Sequence, residues 1–253
     1  MAIGLAAAVT LGIYGISTGG GGTQPDSAGT CAGTVRASGG SAVAPSSTRV
    51  LLIGDSLMKQ ASCSAARAMA SSGVTTFRRA VGGTGLLGGN VDWVARAATL
   101  TQRLHPDVVV AEFVGDYLTP VAGPDGQPIR YGSPAFFAAW QDRAAALSAE
   151  LRRAGVSVYW VEPPPQVSPV ATAGALRLFQ GYASLGDHTL DAAQSLAGPD
   201  GGYVPAKPSC ASGRPLRKPD GLHLTPDGAS VFGQTIAREL TKALGLPIVP
   251  DPC

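Results

Sequence analysis

The chain has 253 residues, which is enough for one α/β domain with a sizeable hydrophobic core. Hydrophobic residues make up 45% and charged residues 14%, a globular composition that excludes disorder of the whole chain. The formal net charge is only +2 and the basic residues are scattered, with no basic cluster interleaved with aromatic residues, so we predict no nucleic-acid partner.

The N-terminal segment from Ala2 to Ile16 is almost entirely apolar, and a glycine run follows it. This pattern predicts a signal peptide or a membrane anchor over residues 1–17, although no Lys or Arg precedes the apolar run. A buried N-terminal helix is the alternative. Residues 18–48 have the Gly-, Ser- and Pro-rich composition of a flexible linker, so we expect the folded domain over residues 49–253.

From Arg49 onward, short apolar runs alternate with longer amphipathic runs. The short runs predict strands over Arg49 to Ile53, Thr75 to Val81, Asp107 to Phe113 and Val156 to Val161. The longer runs predict helices over Leu57 to Ser71, Val91 to Arg103, Pro134 to Ala154 and Pro226 to Leu244. This alternation predicts an α/β protein whose mostly parallel sheet carries helices on both faces, with its site at the carboxyl ends of the strands.

The first candidate motif is Gly54-Asp55-Ser56-Leu57, which follows the first predicted strand directly and opens a helix. A serine at this place faces the carboxyl edge of the sheet, and its own N–H lies near a helix N-terminus, where developing negative charge is stabilised. Ser56 is therefore a candidate nucleophile. The alternative is that Asp55 or Ser56 only caps the helix.

The second candidate motif is Asp220-Gly221-Leu222-His223, which lies just before the last predicted helix. A serine hydroxyl needs an imidazole to take its proton, and a carboxylate fixes the tautomer of that imidazole. The spacing puts Asp220 and His223 on one side of a single turn. The alternative for His223 is an ordinary polar residue before the helix, whereas His105 and His188 lack such a context and are interpreted as surface or loop residues.

Together, the Gly-Asp-Ser motif and the Asp-x-x-His motif resemble those of the GDSL/SGNH hydrolases. The resemblance covers roughly Arg49 to Leu244. It implies a three-layer α/β/α, flavodoxin-like fold, and by position it implies a catalytic triad of Ser56, Asp220 and His223.

The resemblance also implies an oxyanion hole with three donors. The first is the Ser56 N–H, and the second is a glycine of the block that begins at Gly82, where we choose Gly83. The third block contains Gly115-Asp116 where the family has an asparagine. Because an ionised Asp has no proton to donate, either Asp116 fills that position protonated or turned away, or Gly115 fills it and the hole depends on backbone donors.

The four cysteines form an even set without the C-x-x-C spacing of a zinc site, so two disulfides are expected in an oxidising compartment. Cys31 and Cys253 lie near the two ends of the chain, and Cys63 and Cys210 each lie near a candidate catalytic segment. We therefore predict the pairs Cys31–Cys253 and Cys63–Cys210. No metal and no organic cofactor is implied, because a serine triad needs none.

Two arginines precede the Asp-x-x-His motif. Arg214 and Arg217 could bind an anionic group of a substrate or cap carbonyls of their own loop, and Arg217 is our candidate for substrate binding. The segment from Gln166 to Ser209 is expected to shape the pocket. The three tryptophans are dispersed along the chain and are interpreted as core or rim residues.

These observations favour an exported serine hydrolase that cleaves carboxylic esters of a small molecule, a lipid or a glycan. The same triad would serve an O-acyltransferase of envelope glycans, because an acyl-enzyme can be intercepted by water or by a sugar hydroxyl. A non-catalytic binding module on the same fold is the third alternative. We expect a monomer that is secreted or held in the cell envelope, where the N-terminal segment would provide any membrane association.

Overall fold

A computed structural model describes residues 31–36, 48–87, 90–114, 120–123 and 126–253 of the chain. The segment from Cys31 to Cys253 forms one compact unit. The predicted signal or anchor over residues 1–17 and most of the predicted linker lie outside the described residues. None of the helices in the described ranges is long and apolar enough to cross a membrane.

The centre of the domain is a six-stranded sheet with the order β1-β3-β2-β4-β7-β8. Its strands are β1 (Thr34–Val35), β2 (Arg49–Gly54), β3 (Thr75–Arg78), β4 (Val108–Glu112), β7 (Ser157–Val161) and β8 (His188–Leu190). All neighbours pair in parallel except β1, which is antiparallel to β3. A separate two-stranded antiparallel ribbon joins β5 (Val121–Ala122) to β6 (Pro128–Ile129).

Five α-helices accompany the described strands: α1 (Ser56–Ser71), α2 (Trp93–Leu104), α3 (Pro134–Arg153), α4 (Pro169–Ala183) and α5 (Pro226–Ala243). Each begins at a residue whose side chain accepts hydrogen bonds from the backbone of the first turn, which is the usual role of an N-cap. These N-caps are Asp55, Asp92, Ser133, Ser168 and Thr225.

The sheet lies between two hydrophobic layers because its central strands alternate their side chains between the two faces. On one face, Val50 and Leu52 of β2 share a buried cluster with residues of α1 and α5. On the other face, Leu51 and Ile53 share a buried cluster with residues of α2 and α3, and α4 packs against α3 and β7. This is the three-layer α/β/α fold that the sequence predicts.

All three tryptophans lie in the second of these hydrophobic layers. Trp140 and Trp160 are fully buried and Trp93 is 1% exposed. The Nε1–H of Trp140 donates to the hydroxyl of Tyr182 at 2.7 Å, and the ring of Trp160 stacks on that of Tyr182 with centroids 4.1 Å apart. The tryptophans are therefore core residues and not rim residues.

The predicted disulfide pairing was wrong. Cys31 pairs with Cys63 and Cys210 pairs with Cys253, with Cα–Cα distances of 5.7 and 4.5 Å. The physical reason for the first pair is that β1 lies inside the predicted linker and joins the sheet beside β3, which brings Cys31 against α1. The linker prediction is corrected accordingly, because Thr34 and Val35 belong to the folded unit.

Besides β1 and the β5–β6 ribbon, a helix and a strand of the domain were not predicted from the sequence. Helix α4 and strand β8 occupy the segment from Gln166 to Ser209, which the sequence left without assigned structure. Strand β8 extends the sheet by pairing with β7. The Cα pairings Gly54↔Glu112 between β2 and β4 and Ala111↔Trp160 between β4 and β7 keep these strand ends level at the carboxyl edge.

Candidate active site

The Gly-Asp-Ser motif forms the turn between β2 and α1 at the carboxyl edge of the sheet. Strand β2 ends at Gly54, Asp55 is the N-cap of α1, and Ser56 is the first residue of the helix. The Asp55 carboxylate accepts from Leu57 N at 3.0 Å and from Val114 N at 2.8 Å. Asp55 therefore joins the Ser56 turn to the chain that leaves β4.

Ser56, His223 and Asp220 are linked in one chain of hydrogen bonds. The Nε2 atom of His223 is 2.9 Å from the Oγ atom of Ser56. The Nδ1 atom of His223 is 3.0 Å from the Oδ2 atom of Asp220. The side chains of His223 and Asp220 are 33% and 50% exposed, so the open side of this arrangement faces solvent.

The backbone of the same turn also holds the Asp220 carboxylate. Its Oδ1 atom accepts from Leu222 N at 2.9 Å and from His223 N at 2.8 Å. Partial burial raises the pKa of Asp220, but these two hydrogen bonds and the neighbouring His223 lower it more, so the pKa lies below its ordinary value of 3.8. The carboxylate is therefore ionised at neutral pH and suited to orient the imidazole.

The loop that carries His223 is fixed from two sides. On one side, the Oε1 atom of Gln60 on α1 accepts from Leu224 N at 3.0 Å. On the other side, Val167 N donates to the carbonyl of Gly221 at 3.1 Å. The φ of Gly221 is +72°, and the Val167 side chain occupies the place where a Cβ on Gly221 would lie, so glycine is required there.

The buried position of Arg217 does not agree with the predicted role of this residue in substrate binding. Arg217 is only 4% exposed, and its guanidinium donates to the carbonyl of Leu222 at 2.9 Å and to the carbonyl of Pro165. Burial lowers its pKa to about 10, which leaves it charged at neutral pH. Arg217 thus supports the loop of the Asp-x-x-His motif from inside, and its neighbour Arg214 pairs with Asp227 at 2.8 Å.

The backbone donors around Ser56 are only partly within the described residues. Ser56 N donates to no acceptor there. A Cβ on Gly82 would lie 3.6 Å from Cβ of Ser56, whereas a Cβ on Gly83 would meet nothing within 4 Å. Gly82 is thus a second candidate donor and Gly83 stays a prediction. Gly115 and Asp116 lie outside the described residues.

Three contributors to this site were missed by sequence reasoning. Gln60 is one turn after Ser56 on α1, and that helical spacing could have revealed it. Glu112 is a fully buried carboxyl residue at the end of an apolar strand, which is an unusual pattern that could also have been noticed. Gly82 was set aside for its neighbour Gly83. The described residues contain no group of His, Cys, Asp and Glu side chains that could hold a metal ion.

Similarity to solved structures agrees with the fold. The domain is similar to a psychrotrophic esterase from Pseudoalteromonas sp. (16% identity, TM-score 0.53), with 78% of this chain and 99% of that chain covered. It is similar to an acetylxylan esterase from Geobacillus stearothermophilus (11% identity, TM-score 0.54), with 82% of this chain and 98% of that chain covered. It is also similar to a GDSL-like lipase from Bacteroides thetaiotaomicron (14% identity, TM-score 0.51), with 78% of this chain and 89% of that chain covered.

Because these similarities are all below 20% identity, they establish the fold alone. No curated protein sequence matches the chain significantly. The resemblance to GDSL/SGNH hydrolases is confirmed as a resemblance of fold. A family model matches residues 49–239, which include Ser56, Asp220 and His223, and the chain belongs to this family, described as "Protein of unknown function (DUF459)", with the fold of the SGNH hydrolases.

Proposed function

We propose that the protein is a serine hydrolase that cleaves carboxylic esters through an acyl-enzyme on Ser56. The observation that carries the proposal is the unbroken chain of hydrogen bonds from Ser56 Oγ through the imidazole of His223 to Asp220, at 2.9 and 3.0 Å. A helix cap alone would not require an imidazole at this place. If His223 were only a polar residue before α5, it would not require the Asp220 carboxylate on the far side of its ring.

In the proposed reaction, Ser56 Oγ attacks the acyl carbon of the ester while His223 Nε2 takes the hydroxyl proton. The carbonyl oxygen becomes an oxyanion, and the ionised Asp220 stabilises the imidazolium that has formed. Collapse of the tetrahedral intermediate breaks the bond to the alcohol, which leaves with the proton from His223. Water then attacks the acyl-enzyme by the same steps, releasing the carboxylic acid and restoring the Ser56 hydroxyl.

The oxyanion would accept one hydrogen bond from the Ser56 N–H at the positive end of α1 and a second from the N–H of Gly82 or Gly83. The φ of Gly83 is +72°, a conformation that favours glycine, and the Gly82 position leaves room for a substrate beside Ser56 because no Cβ projects there. A third donor would come from Gly115 or Asp116. Loss of a single such donor typically lowers turnover by about 10²–10³-fold.

The proposed substrate is an ester of a small molecule, a lipid or a glycan, and the protein is proposed to act outside the cytoplasm. The two disulfides support an oxidising compartment, because such bonds are rare in cytosolic proteins. Transfer of the acyl group to a glycan hydroxyl instead of water uses the same residues. An assay with an added sugar acceptor separates these two fates of the acyl-enzyme.

The test is hydrolysis of p-nitrophenyl esters of increasing chain length by the full chain, together with labelling by a fluorophosphonate. The variant Ser56→Ala is compared with Ser71→Ala, which removes a hydroxyl from the exposed end of the same helix. We expect Ser56→Ala to lose both labelling and hydrolysis, by about 10³-fold or more, and Ser71→Ala to retain both.

Equal labelling of Ser56→Ala and the wild type would refute the assigned nucleophile. A folded wild-type protein that neither labels nor hydrolyses any ester would refute the proposed chemistry and favour a binding module. Labelling without hydrolysis, with product formed only when a sugar acceptor is added, would replace hydrolysis by acyl transfer.

A further inference from the structure

The residue that carries this inference is Glu112, the last residue of β4. It pairs in register with Gly54, the last residue of β2, and its side chain is fully buried. The close approach of the two strands leaves no room for a side chain at Gly54, because a Cβ there would collide with the Glu112 carbonyl oxygen. A buried carboxyl is costly unless it makes hydrogen bonds, so its partners should explain its presence.

Glu112 contacts the Ser56 turn through both its backbone and its side chain. Its carbonyl oxygen accepts from Asp55 N at 3.2 Å. Its Oε2 atom accepts from Met58 N, in the first turn of α1, at 3.0 Å. Its Oε1 atom is also buried, and the Glu112 carboxyl lies against that of Asp55. One residue of β4 therefore holds both the start and the first turn of the nucleophile helix.

The first turn of a helix has N–H groups without a partner inside the helix, and here they can be followed one by one. Leu57 N donates to Asp55 Oδ1, Met58 N to Glu112 Oε2, and Lys59 N to the Asp55 carbonyl at 2.9 Å. Ser56 N is left without an acceptor in the described part of the chain. The carboxyls of Asp55 and Glu112 thus accept from the N–H groups of Leu57 and Met58. The N–H of Ser56 itself is left available.

We propose that Glu112 is a positioning residue, whose carboxyl fixes the first turn of α1 so that the Ser56 N–H and hydroxyl keep their orientation toward a substrate. The proposal rests on the proposed esterase function and deepens it. Glu112 does not contact the reacting atoms and acts through the backbone of Met58 and Asp55.

The same geometry sets the charge of Glu112. Its carboxyl lies beside that of Asp55 in a buried place, and two adjacent buried carboxylates cannot both be ionised at low cost. Burial raises the pKa of Asp55 to about 6, although the hydrogen bonds from Val114 and Leu57 oppose this. Burial and the charge of Asp55 raise the pKa of Glu112 well above 4.5. The ionisable groups that face the pair are Arg217 near Glu112 and His223 near Asp55. The pair therefore loses its first proton from Asp55, and Glu112 keeps its proton to a higher pH than an ordinary glutamate.

The contact with Met58 N makes a sharp prediction, because glutamine has the same shape as glutamate and also presents an oxygen to that N–H. In the full chain, we expect Glu112→Gln to keep kcat within about threefold of wild type, and Glu112→Met to lower kcat by about 10- to 100-fold with little change in KM. Val110→Ala removes buried volume from the same strand without touching the turn, so it serves as the control for lost stability.

A second measurement does not depend on activity. The chain has four glutamates, so ¹³C labelling of glutamate gives a carboxyl spectrum that can be assigned. Over a pH titration of this spectrum, we expect the Glu112 signal to shift at a pH well above 4.5, and we expect that signal to be missing from Glu112→Gln.

Three results would overturn the inference. The first is a Glu112→Met protein with wild-type kcat, and the second is a Glu112→Gln protein as impaired as Glu112→Met. The third is a Glu112 signal that titrates at the ordinary glutamate pKa of 4.5. In each of these cases Ser56-dependent activity of the wild type would leave the esterase proposal standing. If the wild type itself lacks Ser56-dependent labelling, the proposed function fails, and the positioning role fails with it.

Discussion

Replacement of Gly54 by alanine tests how closely the Ser56 turn depends on the contact between β2 and β4. The new Cβ would lie 2.8 Å from Met58 Cβ and closer still to the Glu112 carbonyl oxygen, whereas real Cβ atoms essentially never approach within 3.0 Å. Both obstacles are rigid, since one is backbone and the other is the first atom of a buried side chain. Gly54 also has φ +151°, which L-residues rarely adopt.

The expected loss of stability follows from these two terms. Overpacking of a well-packed interior typically costs about 1–3 kcal/mol, and a sparsely populated backbone conformation adds about 1–3 kcal/mol. We therefore expect Gly54→Ala to lower the free energy of unfolding by about 3 kcal/mol or more. The Glu112 backbone must also move, and a shift of about 1 Å at a catalytic turn can lower turnover by about 10²-fold.

The matched control is Gly155→Ala, because Gly155 has φ +75° and a Cβ there would meet nothing within 4 Å. That variant suffers backbone strain alone, which we expect to cost about 1–2 kcal/mol. Urea unfolding with the disulfides intact gives both free energies, and fluorophosphonate labelling follows Ser56. Equal loss of stability in the two variants, with normal labelling of Gly54→Ala, would refute the argument from close strand contact.

Four further predictions concern other parts of the domain. Cys253→Ser opens a disulfide that spans 43 residues, and we expect it to lower the free energy of unfolding by about 2–4 kcal/mol; an unchanged urea midpoint would contradict this. Trp140→Phe removes the buried donor to Tyr182, and we expect a loss of about 1–3 kcal/mol, measured by thermal and urea unfolding. Burial and the neighbouring Asp191 raise the pKa of Glu162 from 4.5 to about 7. The folded chain binds a proton that the unfolded chain has lost in this range, so wild-type stability falls as the pH rises through it. Glu162→Gln should therefore be more stable than wild type above about pH 7 and equal to it below about pH 4.5, and the opposite order would exclude this proton uptake. Asp220→Asn replaces the acceptor of the His223 ring and should lower kcat for ester hydrolysis by about 10³–10⁴-fold, whereas a wild-type rate would argue that Asp220 has no part in catalysis.

Much of the fold was predictable because its elements have simple local causes. Strands β2 and β4 are continuous apolar runs, and helices α1 and α5 begin just after a capping residue. The triad residues could be chosen because each lies next to such an element. By contrast, β8 has only three residues, and its place depends on pairing with β7, which no local pattern encodes.

The wrong predictions have a common physical origin in long-range contacts. The disulfide pairing depended on whether residues before Arg49 join the sheet, and Thr34 and Val35 do so through pairing with β3. Arg217 was a candidate for substrate binding because it precedes the Asp-x-x-His motif in sequence. Its burial comes from Pro165 and Tyr203, which are distant in sequence. Gln60 and Glu112 likewise acquire their roles from partners on other elements.

The two disulfides have a consequence for the lifetime of the protein after proteolytic damage. The loop closed by Cys31 and Cys63 contains Ser56, and the loop closed by Cys210 and Cys253 contains Asp220 and His223. A single protease cut within either loop leaves the two fragments covalently joined. A molecule cut once within either loop therefore keeps all three residues covalently joined until the bond is reduced, whereas a cut between Cys63 and Cys210 separates Ser56 from Asp220 and His223 without any reduction.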